Sequence, residues 1–200
     1  MLLSEELTVV VERHENYIKQ SYRNRCTIFS ANGLLDLVVP VVKSPKPKIP
    51  VSEVEISYDM NWQKQHFKAI ESAYRRSPFY EYYIDDLMTF FNCRHRYLYE
   101  FNMSILRTIC TLIKIPFRIQ ESAAFIEPHC EGIIDLRNKI HPKVIQEHTD
   151  TMPHYTQVFS ENHGFKINIS ILDLLFNTGP EAKKYLTNLA LANVSFKTYV

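Results

Sequence analysis

The sequence predicts a mixed α/β fold, with a mixed sheet in its N-terminal part, a helical middle and a C-terminal helix pair. Three observations predict it. β-Branched and aromatic runs flank an Asn-Gly turn before residue 60, apolar residues recur every four positions from Trp62 onward, and Gly179-Pro180 separates two short amphipathic stretches near the end. At 200 residues the chain is long enough to bury roughly two-thirds of its unfolded surface, and it reads as one domain spanning 1–200.

Leu7 to Val11 is a short β-branched run. Thr27-Ile28-Phe29, the Asn32-Gly33 turn and Leu34 to Val42 read as a hairpin, because Asn-Gly tolerates the positive φ that tight hairpins need. Lys43 to Pro50 carries three prolines and is expected to be an extended surface loop, leading to a further strand over Val54 to Tyr58. Trp62, His66, Ile70 and Tyr74 then share one face of a helix that Pro78 ends. Helices follow over Tyr80 to Phe91 and Tyr97 to Ile113, the second stopped by Pro116. Phe117 to Gln120 and Ile133 to Leu136 read as short strands paired with each other, the second placing Asp135 and Arg137 on one face. Ser170-x-x-Asp173 resembles a capping box opening a helix to Asn177, and Pro180 starts a last helix running towards Leu191.

The formal charge of +1 and the pI near 7.7 give no global field for holding nucleic acid or an anionic membrane, so anion binding has to be local. No apolar run is long enough to span a bilayer, and the chain opens without a signal-peptide pattern, so a cytoplasmic location is expected. Cys26, Cys93, Cys110 and Cys130 form no C-x-x-C pair and are expected as reduced thiols. Glu147-His148, His154 and His129-Cys130 lack the spacing of a zinc ligand set, so no metal is expected. Twelve Tyr and twelve Phe against four Gly point to a core built from rings and leave no Gly-rich phosphate loop.

The segment Glu15 to Cys26 alternates cations, amides and phenols. Arg23 and Arg25 offer planar forks for phosphate or carboxylate, Lys19 adds a point charge, and Asn24 can fix orientation. The alternative is a solvated strand edge that discourages aggregation. His66, on an apolar helix face, is either a hydrogen-bonded core histidine or a general base titrating near neutrality. Trp62 and Tyr74 are packing residues or a sugar platform, with packing the plainer reading. Asp135 and Arg137 read first as an ion pair, and Tyr155 and Gln157 share a strand face from which they could read a polar ligand.

These segments together resemble the WbqC-like family. The resemblance rests on Lys19, Tyr22, Arg23-Asn24-Arg25, Asn32-Gly33 and Val39-Pro40-Val41, then Trp62-x-x-x-His66, Tyr74-x-x-x-Pro78-Phe79, Asp135-Leu136-Arg137, Tyr155-x-Gln157-Val158-Phe159 and Ser170 to Pro180, in order along nearly the whole chain. Members of the family recur among bacterial O-antigen and other surface-polysaccharide genes, and transfer of glycine or another amino acid to a sugar has been proposed for them. The resemblance therefore implies a transferase that takes an anionic activated donor and a sugar acceptor. In it Lys19, Arg23 and Arg25 hold the anion, Asn24 and Gln157 orient it, Arg137 and Tyr155 are further substrate-binding residues, and His66 is the general base. Cys26 stands where other members place an asparagine, which argues against a nucleophile. Members usually begin with a further strand, a Tyr-Pro loop and a helix, and Met1-Leu2-Leu3 resembles the tail of that helix. The resemblance thus implies a shortened start and an open edge beside Leu7 to Val11. The alternative function is a noncatalytic accessory protein that binds a polysaccharide enzyme through tyrosines. Nucleic-acid binding through Tyr17, Lys19, Tyr22, Arg23 and Arg25 fits the patch and conflicts with the neutral balance. No cofactor is indicated, and the oligomeric state is open.

Overall fold

The computed structural model of the chain describes residues 8–128, 130–137, 141–142 and 152–192. His129, Glu147 and His148 of the metal reading, and the start of the strand predicted from Leu7, lie outside them.

The fold is mixed α/β, in the order β1 (Val9–Val11), β2 (Arg25–Ser30), β3 (Gly33–Val38), α1 (Trp62–Tyr74), α2 (Tyr80–Asn92), α3 (Leu98–Leu112), β4 (Ile119–Glu121), α4 (Ser160–His163), α5 (Ile171–Thr178) and α6 (Ala182–Ala192). The N-terminal sheet comes as two separate pairs. β2 and β3 form the expected antiparallel hairpin, with Arg25 opposite Val38 and Ser30 opposite Gly33, closed at Gly33 with φ of 100°.

The second pair corrects the sequence reading. β4 lies parallel to β1, Val9 opposite Ile119 and Val11 opposite Glu121, and does not pair with Ile133 to Leu136. That stretch is irregular, with Ile133 and Ile134 both exposed, so it lacks the one buried face that fixes a strand. Val54 to Tyr58 is extended but makes only isolated bridges, Ile56 to Val41 and Glu55 to Tyr97. Tyr155 and Gln157 likewise stand in irregular chain rather than a strand.

The helices follow their periodicity. α1 buries Trp62, Ile70, Ala73 and Tyr74, and α3 buries Leu98, Phe101 and Ile109. The main core packs Ile28 and Leu37 of the hairpin against Ile70, Tyr74, Ile84, Leu87 and Ile109, with Leu174, Leu175 and Phe176 of α5 closing it. A second cluster joins Val39, Val54, Ile56, Trp62, Phe90, Leu98 and Phe101. α1 and α3 serve both, so the hairpin and the 50–58 segment sit on one helical base.

Ser170 caps α5, its hydroxyl accepting from the Leu172 amide, but the predicted capping box is half-formed. The Ser170 amide donates to the Thr27 carbonyl at 2.7 Å, which leaves Asp173 free to turn inward. Gly179, at φ 53°, lies so close to Phe79 that an added Cβ would meet the ring at 2.5 Å.

Candidate anion-binding site

The segment before β2 is pinned at its start by backbone hydrogen bonds from Tyr17 to Ile49 and from Val51 to Glu15. It turns through Gln20 at φ 58°, and the Ser21 hydroxyl donates to the Ile18 carbonyl at 2.7 Å. The turn separates the two arginines by role. Arg23 grips one Glu15 oxygen through Nε at 2.9 Å and Nη2 at 2.5 Å, with both side chains mostly buried at 17% and 14% exposure. Arg23 is thus not the solvated side chain its composition suggests. Asn102 of α3 fixes its backbone, donating to the Arg23 carbonyl at 2.6 Å.

Asn24 is buried, its amide donating to the Val39 carbonyl at 3.0 Å while Val39 donates back to the Asn24 carbonyl at 2.8 Å. It ties the motif to the end of β3. Arg25 is held far less firmly. Its nearest carboxylate, Asp36, is 3.9 Å from Nη1, and its buried Nε has no hydrogen-bond partner among the described residues. Lys19 is exposed at the turn. Tyr17 marks where the cations converge: burial raises its pKa, and the charges of Arg25 and then Arg23 oppose that rise.

His66 stands across β3 from Arg25. Its ring hydrogen-bonds the Val38 carbonyl, and burial lowers its pKa against that bond, so the ring is neutral at pH 7 and its second nitrogen keeps a lone pair. Trp62 packs on it at 5.1 Å between ring centres and is itself buried, its indole N–H donating to the Ser57 carbonyl. Trp62 is therefore packing rather than a platform.

Arg137 reaches the same neighbourhood from the distant loop. It forks onto Asp135 through Nε at 2.9 and 3.0 Å and donates to the Ile126 carbonyl at 2.8 Å. The ion pair expected there is formed, but by a turn rather than a strand face. Arg137 Nη1 lies 4.0 Å from Glu12, and its pKa is raised by the hydrogen bonds to Asp135 and, less strongly, by the charges of Glu15 and Glu12. Glu12, which the sequence did not single out, accepts from the His14 amide at 2.6 Å, the Ser122 hydroxyl at 2.8 Å and the Ile126 amide at 2.7 Å.

Tyr155 and Gln157 gather elsewhere, around Asp173. The Tyr155 hydroxyl donates to Asp173 Oδ2 at 2.7 Å and Gln157 Nε2 to the same oxygen at 3.0 Å, while the Gln157 amide also pairs with both backbone groups of Lys166. Asp173 is fully buried, and burial raises its pKa despite these donors. The signal for it in the sequence was a lone carboxylate in the apolar run Ile171 to Phe176. Cys26 packs against the core, and burial pushes its thiol up to about 11, a protonation state unsuited to a nucleophile.

Residues 3–146 match the WbqC-like protein family. The chain belongs to that family. The match contains the whole Arg23-Asn24-Arg25 turn, His66 and Arg137, whereas the Asp173 cluster lies beyond its end. The chain is also similar to the uncharacterised protein Rv1507c of Mycobacterium tuberculosis, at 28% identity over 196 residues, covering 85% of this chain and 83% of that one. No solved structure matches it. Among the described residues, no helix of this WbqC-like protein is long and apolar enough to cross a membrane.

Proposed function

We propose that this WbqC-like chain is a cytoplasmic transferase of surface-polysaccharide synthesis that moves an activated acyl or amino-acid group onto a sugar. The anionic part of its donor lies against Arg25, Arg23 and Tyr17. The observation that carries the reading is the contrast between the two arginines: Arg23 is fixed by Glu15, while Arg25 meets its nearest carboxylate, Asp36, only at 3.9 Å from Nη1 and lies beside a cation-influenced phenol. A fixed cation next to one with unused donors suits an anion that binds and leaves. Lys19 adds positive charge from the exposed turn, and Arg137, already forked onto Asp135, is a further cation for the donor. His66, neutral and one strand away, is the general base for the acceptor hydroxyl. Asn24 holds the turn in register, and Tyr155 and Gln157 act through α5.

The test is a thermal-shift and calorimetric screen of nucleotides, nucleotide-sugars and aminoacyl donors on the full chain and on Arg25→Gln. A donor at about a hundred times its Kd adds roughly 2.7 kcal/mol of stability, and that gain is expected to disappear in the variant. A donor that stabilises both proteins equally, or a screen with no donor bound, rejects the reading. Arg23 is the poorer probe, because removing it strands a mostly buried Glu15.

A further inference from the structure

The outer face of the β2–β3 hairpin carries an apolar row that the fold leaves open. Side chains alternate along extended chain, so Leu37, Val39 and Val41 turn inward, the first two buried and the third packed on the second cluster. Leu34, Val38 and Val42 turn outward, at 56%, 37% and 49% exposure. α4 shields only the β2 side of that face, where Phe159 and His163 pack on Phe29, the residue opposite Leu34. At about 3.3 Å per residue the row runs roughly 26 Å from the turn to Val42. Exposed aliphatics are ordinary when scattered, whereas a row along one strand face marks an interaction surface.

The row ends in cations. Residues 16–50 hold Lys19, Arg23, Arg25, Lys43, Lys46 and Lys48 against one acid, Asp36, in a chain whose formal charge is only +1. Arg23 is matched by Glu15, Asp36 faces Arg25 and the Thr27 hydroxyl, and Glu55 is held by Arg96. The four lysines are exposed, and among the described residues none of them forms an ion pair. Two backbone bonds fix where they stand. The Val42 amide donates to the Glu55 carbonyl at 2.9 Å, which sets Lys43 at the end of the row, and the Tyr17 amide donates to the Ile49 carbonyl at 2.9 Å, which brings Lys48 beside the turn bearing Lys19.

An aliphatic row edged by unpaired lysines complements an anionic bilayer, where apolar burial and attraction to the headgroups add together. Leucine and valine cannot stack bases as a single-stranded nucleic acid requires. Lysines are point charges on flexible stems, suited to a diffuse anionic surface rather than to one fixed phosphate.

We propose that this face docks the chain on an anionic lipid surface, with Leu34, Val38 and Val42 entering the interface and Lys19, Lys43, Lys46 and Lys48 facing the headgroups. Such docking is independent of any donor bound at Arg25. Co-sedimentation of the full chain with vesicles tests it. Vesicles of phosphatidylcholine and phosphatidylglycerol in equal parts are expected to bind the chain, and vesicles of phosphatidylcholine alone are not. At roughly fivefold for each lysine, the combined variant Lys43→Gln, Lys46→Gln and Lys48→Gln should bind on the order of a hundredfold more weakly at an unchanged melting temperature. Leu34→Ser with Val42→Ser should also weaken binding, at unchanged charge; if that pair does not fold, Val42→Ser alone takes its place. The proposal is overturned if the mixed vesicles do not bind, if phosphatidylcholine alone binds as well, or if a folded lysine or serine variant binds like the parent chain. A single-stranded oligonucleotide held as tightly as the mixed vesicles would also overturn it and assign the face to nucleic acid.

Discussion

Asp173 lies in the middle of an apolar helix face, yet three polar side chains from two distant parts of the chain gather on it. Tyr155 and Gln157 donate to one oxygen, and Tyr74, whose hydroxyl also accepts from the Phe29 amide at 3.1 Å, lies close enough for its own proton to be held by the carboxylate. Among the described residues no cation pairs with the group, and burial raises its pKa. Because folding raises that pKa, the protonated form favours the folded state. The contribution is complete below the unfolded value near ~3.9 and is lost as pH climbs through the folded value. Asp173→Asn, which mimics the neutral carboxyl, should therefore gain stability relative to the parent chain as pH rises from 4, then hold a constant difference. Urea unfolding at intervals from pH 4 to 8 checks this; parallel curves throughout would count against it. At this scale the sequence marked Arg23-Asn24-Arg25 as a cluster of charge and amide, but not that Glu15 and Val39 would hold two of its three side chains. It was unreadable where a residue's meaning depends on distant partners. Ser170-x-x-Asp173 has the form of a capping box, and only the Thr27 carbonyl, drawing the Ser170 amide away, turns Asp173 into a core residue.

Helices and the hairpin were legible because each carries a period or turn signal of its own. Four-residue spacing marks α1, and Asn32-Gly33 marks the β2–β3 turn. The end of α3 shows the limit of such signals. Pro116 marks the stop, and the helix itself closes at Leu112, one residue short of the expected Ile113, in a Schellman motif, in which the Ile115 amide donates to the Cys110 carbonyl at 2.8 Å and the Lys114 amide to the Thr111 carbonyl at 3.1 Å. That geometry places Lys114 at φ 56°, a conformation its Cβ resists. Lys114→Gly should relieve the strain and, after the greater entropy glycine loses on folding, raise stability by about 0.5–1 kcal/mol. Chemical denaturation of the variant checks the sign; a loss would mean the lysine stem packs against the core more firmly than the backbone resists.

Across the whole molecule, the β1–β4 pair escaped the sequence reading. Strands of three residues have almost no period to detect, and a parallel partner far along the chain has no turn to announce it. What holds the pair is partly polar. Glu12 and Ser122 bond across 110 residues of sequence, the Arg13 amide donates to the Ser122 hydroxyl at 3.1 Å, and the Ser122 amide to the Val11 carbonyl at 3.1 Å. Burial would raise the Glu12 pKa, but the His14 and Ile126 amides and the Ser122 hydroxyl outweigh it and the net shift is downward. Its contribution is therefore present above the unfolded value near ~4.3 and lost as pH falls through the lower folded value. Glu12→Gln should cost about 1.5–3 kcal/mol at pH 7, and its deficit should shrink in acid. Hydrogen exchange should show faster amides at Arg13 and Ser122 with α1 and α2 unchanged; uniform acceleration would mean that the tie is not local. The same tie fixes an order of events during synthesis. At ~5–20 residues per second, Val9–Val11 waits roughly 5–20 s on the ribosome before its partner strand is made. For that interval its edge is open to chaperones and to neighbouring nascent chains.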